Sequence, residues 1–109
     1  MTDREYLARV EKLFRKVEDL LIDFEDTLDY DRTPDKLEIT HEPSGRKIVL
    51  NTQKAIHEVW LAGNARGWHF GFQEKSGRWF AQAEQEEFAD CFSRLLGDHL
   101  GESVELDLS

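Results

Sequence analysis

Residues 36–51, KLEITHEPSGRKIVLN, decide the fold. Leu37 and Ile39 alternate with Lys36, Glu38 and Thr40, the period of a strand with one buried face. Glu42-Pro43-Ser44-Gly45 then reads as a turn, and 46–51 resumes with the β-branched pair Ile48 and Val49. Downstream the same signal recurs. A run at 56–62 is followed by a turn at 63–67, a run at 68–72, a turn at 74–77 and a run at 78–81. Connections this short suit antiparallel neighbours, because parallel strands need long crossovers. The spacing predicts a meander of four or five strands, with 28–32 as a candidate opening strand.

On both sides of this region the period changes to that of a helix. Upstream, Tyr6, Leu7, Val10, Leu13, Phe14, Val17, Leu20, Leu21 and Phe24 make one apolar face over residues 4–25, with Thr2 or Asp3 to cap it. Downstream, Phe88, Cys91, Phe92, Leu95, Leu96 and Leu100 make another. Glu84, Glu86 and Glu87 fall where a first turn favours acids, and Gly97 or Gly101 can end the helix. Val104, Leu106 and Leu108 then alternate as a tail that docks on the core. Two apolar helix faces need one sheet face, so the expected fold is α+β: a two-layer sandwich in a single domain spanning 1–109.

The chain carries 23 acids against 14 Lys and Arg, a formal net charge of −9. That sign argues against nucleic acid or an anionic membrane as partner and favours cations or basic proteins. The single cysteine, Cys91, cannot form an internal disulfide, and the polar N-terminus is unlike a signal or transit peptide. A cytoplasmic protein is expected.

Seven of the acids fall between Lys16 and Arg32 with no base among them: Glu18, Asp19, Asp23, Glu25, Asp26, Asp29 and Asp31. On a helix Asp19, Asp23 and Asp26 would stack on one face, flanked by Glu18 and Glu25. Like charges at that spacing cost a few tenths of a kcal/mol per pair, and acids at a helix C-terminus oppose its dipole at ~0.3–1 kcal/mol each. Clustered carboxylates without imidazole or thiolate suit hard, oxygen-seeking cations bound weakly on an open face. They equally suit a basic protein surface. If Val59 and Leu61 face the helices, alternation puts Trp60 on the open sheet face as a binding anchor. His41, His57, His69 and His99 lack the pairing of a metal motif. Ser44 and Ser76 have no identifiable base, and no phosphate loop or dinucleotide fingerprint occurs, so no enzyme is expected.

The acidic first helix, the sheet with Asn51-x-Gln53, then Val59-Trp60-Leu61-Ala62, then Gly67-Trp68-His69-Phe70 and a closing helix together resemble the frataxin family, in its bacterial branch. The likeness covers nearly the whole chain. It departs from the family pattern at Ala55, where Pro is usual, at Glu58, where Gln is usual, and at Ile22, which interrupts the acidic row. What the resemblance implies is weak binding of ferrous and ferric iron on the acidic ridge and a part in iron–sulfur cluster assembly. It also implies binding to the cysteine desulfurase, and to the scaffold protein, through Glu18, Asp19, Asp23, Asn51, Gln53 and Trp60. A monomer that iron can drive into oligomers is implied as well. The alternative from charge alone is an acidic decoy or immunity-type protein that captures a basic partner without metal.

Overall fold

The structure, a computed structural model, describes residues 1–108. Helix α1 (Asp3–Leu21) is followed by strands β1 (Leu28–Thr33), β2 (Lys36–His41), β3 (Arg46–Gln53), β4 (Glu58–Gly63), β5 (Arg66–Gln73), β6 (Arg78–Ala81) and β7 (Glu86–Glu87), and then by helix α2 (Phe88–Leu100). The strands pair in chain order into one antiparallel sheet, β1-β2-β3-β4-β5-β6-β7. The expected α+β sandwich is the observed one, but the meander has seven strands where four or five were expected. The added strand at the far edge is β7. The sequence predicts its two residues, together with Glu84, in the first turn of the closing helix. Glu86 and Glu87 instead pair with Ala81 and Phe80. Gln85, at φ 54, turns the chain before them, and α2 begins only at Phe88 with Asp90 as its one first-turn acid.

Both helices bury their stripes against the same sheet face. Tyr6, Val10, Leu13, Phe14, Val17 and Leu21 of α1 join Phe88, Cys91, Phe92, Leu95 and Leu96 of α2. They meet Leu37, Ile39, Ile48, Leu50, Val59, Leu61, Trp68 and Phe70 of the sheet in one continuous core. Leu7 lies at the margin of the α1 stripe and is exposed. Thr2 caps α1: its hydroxyl accepts from Glu5 N–H, and Glu5 Oε1 accepts from Thr2 N–H at 2.9 Å. The helix ends earlier than the apolar period implied, passing at Leu21 into a 3₁₀ turn, Ile22–Phe24. Between β4 and β5, Asn64 and Ala65 both have positive φ, the two-residue hairpin geometry that matches strand twist.

Two glycines allow close approach on the helix side. A Cβ on Gly63 would lie 2.8 Å from Leu95 Cδ2, and one on Gly97 would lie 2.8 Å from the Glu102 carbonyl oxygen. Gly101, in the left-handed region, is the residue that stops α2. Beyond it the tail folds back as expected. Leu106 is buried, its N–H donates to Ser93 Oγ at 2.8 Å, and Val104 and Leu108 pack beside it. Cys91 is core; burial, with Glu86 adding to it, pushes its thiol up to about 12, so it stays a neutral packing group.

Tyr6 links the layers at one end. Its hydroxyl donates to the Glu58 carbonyl at 2.5 Å and accepts from Gln53 N–H at 3.1 Å, while its ring stacks on His57. Tyr6→Phe orphans both backbone groups, and an unsatisfied buried partner costs about 1–3 kcal/mol. The expected result is a lower urea midpoint at unchanged m-value.

His99 does the same at the other end. It is only 6% exposed, and its Nε2 lies 3.1 Å from Asn64 Oδ1, which also accepts from the Arg46 guanidinium. Burial first, then the charges of Arg46 and His41, hold its pKa below the ordinary 6.5, with Asp98 opposing. A depressed folded pKa means that the unfolded chain binds the proton more readily. The stability this contributes is present above about pH 6.5 and is lost as pH falls from there through the lowered folded pKa. Thermal melts of wild type and His99→Gln are therefore expected to diverge below pH 6.5, with the wild type falling faster.

Candidate functional site

The carboxylates singled out above do not form one helical row. Only Glu18 and Asp19 lie within α1; Asp23 is in the 3₁₀ turn, Glu25 and Asp26 are in the turn after it, and Asp29 and Asp31 are on β1. Glu18 is turned inward. It pairs with Arg32 of β1, which also pairs with Glu11, so Glu18 is 21% exposed at its side chain and already has a cation. The other six are exposed, and among the described residues none of them forms an ion pair or a side-chain hydrogen bond. They sit where α1 has no basic residue in its last turn, against the negative end of its dipole. Ile22 stands among them, 57% exposed.

Strand alternation divides β1. Leu28, Tyr30 and Arg32 register with His41, Ile39 and Leu37 on the helix side, and Asp29 and Asp31 register with Thr40 and Glu38 on the open face. The acids therefore form a corner, wrapping from the helix end onto the open face along the sheet's edge strand. Among the described residues no three acids, histidines or cysteines converge into a cage for an ion. The chemistry available is shallow carboxylate coordination by one or two oxygens, with water completing the shell, which fits a hard cation held as exchangeable cargo.

Across the open face the charge changes. Glu38 lies between Lys47, at 2.7 Å, and Lys36, at 3.2 Å, and these two cations hold its carboxyl below the usual carboxylate range. Beyond this neutralised strip lies a polar–aromatic patch. Asn51, Trp60 and His69 are direct cross-strand neighbours on β3, β4 and β5. The Trp60 ring stacks on His69 at 4.0 Å between centroids and 9° between planes. Its indole N–H donates to Glu58 Oε1 at 2.9 Å. Gln53 pairs with Glu58 in the next row. The expected phase of Trp60 is the observed one: Val59 and Leu61 are buried, and Trp60 is half-buried on the opposite face. The tail packs against α2 and leaves this patch open. At about 4.8 Å per strand, Trp60 on β4 lies roughly 14 Å from the acidic edge at β1, within reach of one partner surface.

His69 has no helical histidine partner to mark it as a site residue. Its signal was sheet phase: with Trp68 and Phe70 buried, His69 must point out beside Trp60.

A family model described as a frataxin-like domain matches residues 1–102. The chain is similar to an iron-sulfur cluster assembly protein CyaY of Paraburkholderia phymatum, with 32% identity over 106 residues, 97% of this chain and 98% of that one. It is also similar to the protein of the same name from Azotobacter vinelandii, 26% identical over 96% of this chain and 94% of that one. Among solved structures a frataxin from Psychromonas ingrahamii superposes with a TM-score of 0.87 at 26% identity, covering 98% of this chain and 99% of the other.

Proposed function

The chain belongs to the frataxin family, in its CyaY-type bacterial branch, and from that premise we propose that it serves iron–sulfur cluster assembly by binding and not by catalysis. Its cargo is iron, and its protein partners are the cysteine desulfurase and the scaffold on which clusters form. The observation that carries this reading is the corner of six unpaired carboxylates, Asp19, Asp23, Glu25, Asp26, Asp29 and Asp31, continuous with an open sheet face bearing Trp60.

The corner does two kinds of work. Oxygen-only ligands on an open surface attract Fe²⁺ and Fe³⁺ without enclosing them, so iron enters and leaves freely. The same charges steer a basic protein surface and raise its association rate. Iron and a basic partner compete for these oxygens, which makes iron occupancy a lever on partner binding. Asn51, Gln53 and Trp60 supply the second contact, polar, with an aromatic anchor at its centre.

Titrating ¹⁵N-labelled protein with Fe²⁺ under anaerobic conditions tests the iron arm. The expected result is broadening of amide signals at Asp19–Asp31 with the Trp60 indole signal undisturbed. Uniform or absent broadening would remove iron from the mechanism. An acidic decoy for a basic protein would give that second result, so one titration separates the two readings.

A further inference from the structure

The open face carries a depression that neither the carboxylate corner nor Trp60 alone accounts for. The cross-strand row Gln53–Glu58–Gly71–Phe80–Glu87 runs from β3 to β7. Gly71 contributes no side chain at its centre. A Cβ built on Gly71 would meet nothing within 4 Å, so no neighbour's packing demands a glycine there. The gap opens into a cavity of about 520 Å³, within the ~300–1,000 Å³ range of ligand-binding clefts.

The lining is specific in its chemistry. One side is formed by His69, braced from behind by the Trp60 ring stacked on it at 4.0 Å, and the other by Phe80. Glu58, directly across from Gly71 on β4, also lines the cavity. It spends Oε1 on the Trp60 indole, a bond that fixes the carboxylate's direction and leaves Oε2 to accept from a ligand. Glu84, exposed in the loop after β6, lines the rim, and Gln73 adds an amide. Among the described residues, two carboxylates and no lysine or arginine line the cavity.

Aromatic faces beside an oriented carboxylate select a flat cation. A guanidinium stacks on the rings and donates to the free carboxylate oxygen; a lysine ammonium, compact and strongly hydrated, gains the charge but not the stacking. We propose that the Gly71 depression receives an arginine side chain of a protein partner, stacked between His69 and Phe80 and paired with Glu58, with Glu84 closing over it. The cavity exceeds one side chain in volume, so the backbone flanking the arginine enters with it. This deepens the preceding assignment of the open face as a docking surface and rests on it.

Two peptides, acetyl-Gly-Arg-Gly-amide and acetyl-Gly-Lys-Gly-amide, are titrated into ¹⁵N-labelled protein. The arginine peptide is expected to shift the amides of Glu58, His69, Gly71 and Phe80 and the Trp60 indole, and to bind at least about threefold tighter than the lysine peptide. Gly71→Leu puts a side chain at the centre of the depression, where its Cβ meets nothing within 4 Å, and should weaken the arginine peptide about tenfold at unchanged melting temperature. Glu58→Gln should weaken it severalfold. Shifts confined to Asp19–Asp31, equal affinity for both peptides, or an unchanged titration in Gly71→Leu would overturn the proposal. In a second arm, Gly71→Leu is compared with wild type for binding to purified desulfurase and scaffold. Undiminished binding to both would overturn the assignment of the slot to a partner's arginine. Failure of the wild type to bind either protein would overturn the function proposed above, while the peptide titration, which contains neither protein, decides the slot separately.

Discussion

Reversing Asp19 and Asp23 together to lysine is expected to abolish desulfurase binding while raising the protein's melting temperature. Both side chains are exposed and unpaired, one in the last turn of α1 and one in the 3₁₀ turn that follows. As acids they repel each other and oppose the helix dipole. As lysines they complement the dipole and attract Glu25 and Asp26. Summing the usual increments gives a gain of about 1–2 kcal/mol, worth roughly 4–8 °C in a domain of this size. Against a basic partner the same change replaces two attractions by two repulsions. Close charge pairs across interfaces couple by about 1.5–7 kcal/mol, so a loss of 100-fold or more is the expected scale. Calorimetry on the free variant and titration against the desulfurase at two salt concentrations check both halves. The wild-type affinity should fall with salt and the residual variant affinity should not. Retained binding would remove the corner from the interface. Lost binding together with a lowered melting temperature would mean that the fold, not the surface, had been damaged. The pattern expected here, a surface selected for binding at a cost to stability, also accounts for acids standing at a helix end where physics disfavours them.

How much of this was legible beforehand differs from element to element. The buried stripes of α1 and α2 and the phase of β2 to β6 follow from apolar spacing, because burial on one face imposes that spacing. Strand β7 does not. Two glutamates carry no apolar alternation, and only their pairing with Phe80 and Ala81 makes them a strand. Read alone, they resemble the acidic first turn of the helix that follows. The acids were legible as a cluster but not as a shape. Period-3.6 reasoning stacked Asp19, Asp23 and Asp26 on one helix face; the early end of α1 at Leu21 places Asp23 in a 3₁₀ turn and Asp26 in a turn beyond it. Glu18 looked equivalent to its neighbours until Arg32, 14 residues along the chain, folded back to pair with it. Nor could a linear reading find the Gly71 depression, whose walls come from β4, β5, β6 and the loop after it. Its parts become neighbours only through register.

Trp60→Ala is expected to cost the partner that docks on the open face about 2 kcal/mol or more, roughly 30-fold in affinity, with little loss of stability. The ring is half-buried on a face that the helices and tail leave free, so truncation opens no core cavity. Its loss has two further local effects: His69 loses its stacking partner, and Glu58 Oε1 loses the indole donor that orients it. Trp60→Phe separates them, because phenylalanine keeps a ring against His69 but not the N–H; it should recover most of the affinity if stacking and area carry the contact. Combining Trp60→Ala with the Asp19/Asp23 reversal then asks whether corner and patch meet the same molecule. Groups roughly 14 Å apart with no shared neighbour should add within about 0.3–0.5 kcal/mol when both touch one partner. If instead the reversal weakens only the desulfurase and Trp60→Ala weakens only the scaffold, the two surfaces hold different proteins at once. The chain would then act as a bridge, with the neutralised Lys36–Glu38–Lys47 strip as the seam between its two faces. Each surface would in that case tolerate loss of the other, and only the doubly altered protein would fail to bind either partner.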